Sequence, residues 1–435
     1  MNQTSSVKVA RMSRRKKISV WIVAVLGGLL VLAVVAALAL PWLSTTAPAK
    51  DKAESILSDT FGRKVSFDSM RLSLLPPRAK ARGLRVQGAD MNGTIGLIKV
   101  DLAVLPLFSG RLNIDSLEIQ DPGLRYVLQD FTTKTHPENA ALKRMGASLT
   151  EAFDSIRSSL PETNLTLHNG TIDIQQKEQP DYRVNSLNAD MYIPSGRSET
   201  IQGSLQGMFA TQRIPAPMQV IRSRFALNRH QLLFEDLALE SGKSSLESAS
   251  VRLQGNGTLK VRSAAGNIGR KTSAWLKSQN LVPDWLDLDA PVSIADGVLV
   301  LQEDRTVFNS DLTMPNGLEG RIELSHTPEE LDIEHLAIRD AESKASMAIF
   351  RNREKTSIDF QGKLTHKTVS GLLTSKDLQG WIEGDFRVDI PRDRLPGLQL
   401  VGALGTGGFA FTQNLDAPLK VQELRVKGTN GTVRL

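Results

Sequence analysis

Outside one long apolar run near the N-terminus, hydrophobic and polar positions alternate over short segments of this chain. A period of two reads as half-buried β-strands. Helical spacing is confined to a few places. Ile56, Leu57 and Phe61 form one stripe over residues 50–61, and Gly62 stops it. Leu142, Met145, Leu149, Phe153, Ile156 and Leu160 recur at steps of three and four, which predicts an amphipathic helix from Pro137 to Leu160. Pro137 suits its first turn and Pro161 ends it. Two shorter helices are expected around Trp275–Leu276 and Val369–Leu373.

Between the strand patterns stand Asn-Gly pairs, at 92, 169, 256, 316 and 430, and an Asp-Gly pair at 296. Both residue types tolerate positive φ, so these pairs predict two-residue hairpin turns. On that basis Leu165–Ile174 reads as a complete hairpin turning at Asn169-Gly170.

One eight-residue pattern recurs: apolar, any, apolar, polar, polar, apolar, any, apolar. It occupies Val65–Leu72, Leu112–Ile119, Tyr182–Ala189, Leu232–Leu239, Leu331–Ile338 and Leu419–Val426. In a regular strand its first and third residues face one side, while the sixth and eighth face the other. A β-bulge at the polar pair shifts the phase and returns all four to one side. The expectation is therefore a set of bent antiparallel strands with a single apolar face. Such a face must be covered by curling, by a second layer, or by helices, and only one long amphipathic helix is available. Otherwise part of it stays open as a groove, and a large open apolar surface marks a binding site.

The apolar run itself, Ile18 to Leu40, is interrupted by Ser19, Gly27 and Gly28 alone. About 23 residues at 1.5 Å rise span roughly 34 Å, enough for a bilayer core of about 30 Å. Trp21 and Trp42 flank it as interfacial anchors. Lys8, Arg11, Arg14, Arg15, Lys16 and Lys17 precede it, which places the N-terminus in the cytoplasm and the remainder across the membrane. A cleaved signal peptide is the alternative, since Ala37-Leu-Ala39 and Ala47-Pro-Ala49 fit small-x-small sites, although the run exceeds the usual length for one.

Those six N-terminal charges equal the whole net charge of +6, so the rest of the chain is neutral overall. With aromatic residues at 5%, this argues against a nucleic-acid partner. The chain has no cysteine, which excludes disulfide scaffolds, thiol nucleophiles and cysteine-bound metals. Its six histidines form no close pair, so no helix-borne metal site is expected. Gly242-Lys243-Ser244 lacks the earlier glycine of a phosphate loop, Leu237 standing in its place. The glycine-rich stretch 402–408 has no following helix, and no nucleophile elbow occurs. No cofactor, metal or catalytic residue is expected.

The order Gly62-Arg-Lys-Val65, then Leu72-Ser-Leu-Leu-Pro-Pro77, then Leu105-Pro-Leu-Phe-Ser-Gly110, Leu112–Ile119 and Asp121-Pro-Gly-Leu124 resembles the AsmA family of envelope proteins. The resemblance is clearest over residues 18–130. It implies a mostly β protein: an N-terminal transmembrane helix followed by a long curled antiparallel sheet, groove- or taco-like, with a few short helices. It also implies a single-pass protein of the bacterial inner membrane with its bulk in the periplasm, acting in phospholipid transport or outer-membrane assembly. The end at Gly431–Leu435, inside a strand pattern, is the expectation for a truncated member.

The resulting organisation is a basic cytoplasmic tail (1–17), an anchor (18–42), an N-terminal β region (50–135), an amphipathic helix (136–161) and a repetitive β region (162–435). The expected function is non-enzymatic: binding or transfer of phospholipid, whose acyl chains would lie in an apolar β-groove. Candidate lining residues are Leu112, Ile114, Leu117, Ile119, Leu331, Ile333, Leu336 and Ile338. The alternative is an envelope scaffold or assembly factor that recruits proteins at sheet edges.

Overall fold

The computed structural model describes residues 47–434 apart from positions 62, 75, 89–90, 105, 107–112, 129–137, 177–178, 196–199, 212–215, 279–290, 315–316, 369–379, 392–398, 412–418 and 430–431. The apolar run Ile18–Leu40, Leu112 and the helix expected at Val369–Leu373 lie outside the described residues. Among the described residues no helix is long and apolar enough to cross a membrane. The chain is mostly β, with few helices, and divides into two compact units.

The first unit comprises residues up to 132, with 148–207 and 225–231. It opens with helix α1 (Ala47–Phe61) and strands β1 (Lys64–Ser66), β2 (Ser69–Leu74), β3 (Pro77–Gln87), β4 (Met91–Leu102) and β5 (Ile114–Leu128). Helix α1 pins the start of the sheet: Ser58 Oγ accepts the Val65 N–H at 2.9 Å, and Glu54 accepts that of Phe67 at 2.9 Å. Strands β1 and β2 both pair with β3, and β3–β4–β5 continue as an antiparallel ladder. Helix α2 (Glu138–Ser159) links β5 to β6 (Thr163–Gln176), and these two strands run parallel. Strand β7 (Gln179–Ile193) returns antiparallel, followed by β8 (Ile201–Thr211).

Helix α2 agrees with the expected helix to within a residue at each end. Its apolar stripe is less regular than the spacing implies. Leu149 and Phe153 are buried, as is Leu160 just beyond, but Met145 is 55% exposed.

The second unit comprises 133–147, 208–224 and 232–435. Its strands are β9 (Met218–Leu227), whose last residues belong to the first unit, β10 (Gln231–Ser241), β11 (Ser244–Gln254), β12 (Leu259–Ile268), β13 (Val292–Leu301), β14 (Thr306–Thr313), β15 (Glu319–His326), β16 (Leu331–Arg339), β17 (Lys344–Arg351), β18 (Lys355–Thr365), β19 (Trp381–Pro391), β20 (Gln399–Phe411), β21 (Leu419–Thr429) and β22 (Thr432–Arg434). From β11 to β22 each strand pairs antiparallel with the next. Among the described strands no pairing joins β22 back to β11, so this ladder is open rather than a barrel. Helix α3 (Arg270–Ser278) covers the expected Trp275–Leu276 segment.

Among the described residues the Asn-Gly and Asp-Gly pairs divide into two kinds; Asn316 and Asn430-Gly431 lie outside them. Asn256-Gly257 turns between β11 and β12 as expected. Asn169-Gly170 and Asp296-Gly297 do not turn: β6 and β13 pass straight through them, so Leu165–Ile174 is one strand and not a hairpin. Asn92-Gly93 likewise lies inside β4. The same tolerance of positive φ that suits a turn is used here for a bulge. Asn169 (φ 53°) and Asp296 (φ 50°) are both left-handed, and the register shifts beside them.

The bulges account for most of the eight-residue patterns. Within Leu331–Ile338 the register shifts between Ile333 and Leu336. Within Leu112–Ile119 it shifts between Ile114 and Ser116. Ser186 and Asp236, each the fifth residue of its pattern, have φ of 52° and 54°. The same left-handed position recurs at Asp121 and Ser248, in strands that match the pattern only loosely. Val65–Leu72 is instead split into β1 and β2. In Leu419–Val426 the register with β20 is continuous, so no bulge rephases it. Strands β18 and β20 bend at glycine: Gly362 (φ 117°) and Gly402 (φ 109°) adopt conformations closed to other residues, with a neighbouring carbonyl 2.2 Å from where a Cβ would stand.

Candidate lipid-binding face

Bulge and register together decide which side chains share a face. Ile333 pairs with Ile349 and Leu336 with Met347. Since 347 and 349 lie on one side of β17, Ile333 and Leu336 share that side too. Extending this residue by residue gives one unbroken cross-strand row: Val251, Val261, Leu299, Phe308, Leu324, Ile333, Ile349, Ile358, Val388 and Leu400. Ten successive strands, β11 to β20, each contribute one apolar side chain to it. A parallel row through Ile294, Leu312, Gly320, Ile338, Ala345, Gly362, Gly384 and Leu404 is also uncharged throughout. Phe360 and Phe386 stack between the rows with ring centroids 5.2 Å apart. On this face of β13–β20 the one charged side chain among the described residues is Arg351, and the one imidazole is His326, both exposed and both at strand ends.

The opposite face is saline. Arg321 pairs with Glu323, Lys355 and Arg387 with Asp389, and Lys363 with Glu383. The Ser357 hydroxyl donates to Asp389, and this bond, reinforced by Lys355 and Arg387 against partial burial, holds the carboxyl below the usual Asp range.

Buried serines complete the bent apolar layer. A bulge breaks the ladder locally and leaves a carbonyl without its strand partner. Ser310, fully buried and opposite the Asp296-Gly297 bulge, donates to Ala295 O at 3.1 Å. Ser263, across the ladder from the left-handed Ser248, donates to Glu247 O at 3.4 Å and to Ala265 O at 2.7 Å. Each of these carbonyls thus finds a donor without a charge entering the face. Ser223 is buried as well, but its hydroxyl has no hydrogen-bond partner.

The apolar face is incompletely covered. Ile338, Ala345, Phe360, Phe386 and Leu400 are buried, whereas Leu299, Phe308, Leu324, Ile349, Ile358 and Val388 are half-buried. Among the described residues the second unit offers as cover helix α3, the first ten residues of α2 and one turn at 366–368. These nine and ten residues of helix reach about 14 and 15 Å, while ten strands extend about 48 Å at ~4.8 Å each. With strands of roughly 30 Å, the whole face is on the order of 1,000 Å², more than these short helical segments span.

The sequence-derived lining residues fall in both units. Leu331, Ile333, Leu336 and Ile338 lie on the apolar face of the second unit, with Leu331 and Leu336 half-buried. Ile114, Leu117 and Ile119 are in the first unit at 4%, 0% and 7% exposure, inside a closed layer with Ile98, Val100 and Leu165. Past the left-handed residues Asp121, Asn169 and Ser186 the same face opens: Leu124, Ile172, Ile174 and Val184 are half-buried. Sequence reasoning missed the row from Ile349 to Leu400, because β17–β20 carry no eight-residue pattern. Plain alternation in Met347-Ala-Ile349 and Phe386-Arg-Val388 was the available signal.

Among the described residues no cluster of three or more metal-binding side chains occurs. None of the curated proteins matches the chain. The sequence model of the AsmA family matches residues 12–282.

Proposed function

The chain belongs to the AsmA family, and from that premise and the open apolar face we propose that it binds phospholipid acyl chains along β11–β20 and carries them in the envelope. The observation that supports this most is the ten-residue apolar row, eight of whose side chains are half-buried and two, Ile333 and Leu400, buried. An acyl chain spans about half of the ~30 Å hydrocarbon core, about 15 Å, or roughly three strand spacings. Each buried methylene contributes about 0.8 kcal/mol, so the face holds lipid without a dedicated polar contact. The repeated rows offer many equivalent positions, which suits sliding better than storage in one pocket. In this reading Ile18–Leu40 anchors the protein in the inner membrane, with the N-terminus cytoplasmic and the sheet in the periplasm. No catalytic step is involved.

Ile349→Asp combined with Leu324→Asp tests the reading, because it places two carboxylates on half-buried positions of the row that lie outside the buried cluster of Ala345, Phe360, Phe386 and Leu400. Full-length protein carrying both is expected to lose phospholipid co-extracted per chain while keeping its circular dichroism spectrum. Undiminished lipid would overturn the proposal and favour a scaffold that binds proteins.

A further inference from the structure

We propose that the outward face of β2 and β3, in the first unit, docks on an anionic phospholipid surface, that of the membrane holding the Ile18–Leu40 anchor. Register sets Arg71 opposite Lys80, and Lys80 opposite Lys99, so three cations stand in one row across β2, β3 and β4. Arg78 and Arg82 flank Lys80 on the same face of β3, where alternate residues Ala79 and Ala81 are buried on the other. Like charges placed directly opposite each other destabilise a sheet. Part of that repulsion is compensated internally: Lys99 pairs with Glu118 at 2.7 Å, and Arg78 with Asp101. Arg71 and Arg82 are exposed and make no ion pair among the described residues, and Lys80 acts on Asp101 only through space, without a contact ion pair. The segment Arg63–Arg85 contains seven basic residues and one acid, Asp68, which pairs with Arg85 at 2.9 Å.

This arrangement calls for an anion from outside. The strands bearing it follow the anchor by some thirty to forty residues, so a bilayer surface is the polyanion closest to hand. Headgroup phosphates are the complementary charge, and a flat row of cations on a sheet face meets a flat array of them. The inference rests on the anchor and not on the apolar face.

The test uses the full chain in lipid nanodiscs of phosphatidylcholine alone and of phosphatidylcholine with phosphatidylglycerol. A water-soluble acylating reagent and peptide mass spectrometry read the reactivity of each lysine. Lys80 is expected to react about fivefold more slowly in the anionic discs, the gain of one basic residue near such a surface. About 1 M salt shortens the screening length to about 3 Å and should abolish the difference. Lys260, half-buried on β12 between Arg252 and Arg262 in the second unit, is the comparator. Equal reactivity of Lys80 in both discs, or equal protection of Lys80 and Lys260, would overturn the proposal. Arg71→Gln with Arg82→Gln should erase the Lys80 difference; should that variant misfold, the salt dependence of the unaltered chain decides. Failure to enter discs would count against the anchor and overturn the assignment to the membrane that holds it. Flotation with phosphatidylglycerol vesicles then reads the patch directly, with loss of about 30-fold in binding expected for the double variant and no loss overturning it. Phospholipid content of the same samples reports separately on the apolar face.

Discussion

Ile333 and Leu336 project from the same side of β16 although three residues separate them, because Glu334 and His335 together occupy the place opposite Ala348. That extra residue is what lets the pattern apolar-x-apolar-polar-polar-apolar-x-apolar build one continuous face. Deleting His335 should turn Leu336 and Ile338 to the charged side, with a loss of about 3–6 kcal/mol for two displaced side chains. His335→Ala keeps the count and is expected to change stability by less than about 0.5 kcal/mol. Urea denaturation of the two variants checks the contrast.

Two buried serines, Ser310 and Ser223, give a second contrast. Ser310→Ala removes the buried hydroxyl that donates to Ala295 O at 3.1 Å, and should cost about 1 kcal/mol. Ser223→Ala removes a buried hydroxyl that has no partner, so it is expected to be neutral or slightly stabilising. Thermal melts of both variants would show whether the hydroxyl bonds or mere size matters.

Much of this architecture was legible in the sequence, and the rest failed for physical reasons. Alternation revealed the strands, and steps of three and four revealed α2. The polar pair in Leu331–Ile338 revealed a bulge. Asn169-Gly170 misled because a hairpin turn and a bulge ask the same thing of the backbone, a residue tolerant of positive φ; what distinguishes them is the parallel partner β5, brought alongside by α2. Ile114 and Ile333 occupy the same place in their patterns and are equally buried, yet they sit in layers of different openness. Cover is a tertiary property that no local pattern encodes. Met145 obeyed the helical spacing and still faces solvent.

The outer face makes its own prediction. Asp389 has its carboxyl held below the usual range by the Ser357 hydroxyl, with Lys355 and Arg387 alongside. A depressed folded value means the stabilisation is complete above the unfolded pKa of about 4. It is lost as pH falls from there through the folded value. Asp389→Asn should therefore melt lower than the unaltered chain at pH 7, and the gap should narrow below about pH 4. Melting temperature against pH measures both. A gap independent of pH would assign the effect to packing instead.

The apolar row is tested most directly by adjacent positions on one strand. Ile358 belongs to the row, while Asp359 points to the charged side and faces Arg387. A photo-crosslinking amino acid placed at 358 in the full-length protein, irradiated in cells and analysed by mass spectrometry, is expected to capture phospholipid. The same residue at 359 is expected to capture none. Lipid adducts absent at 358, or equal at the two positions, would contradict the account.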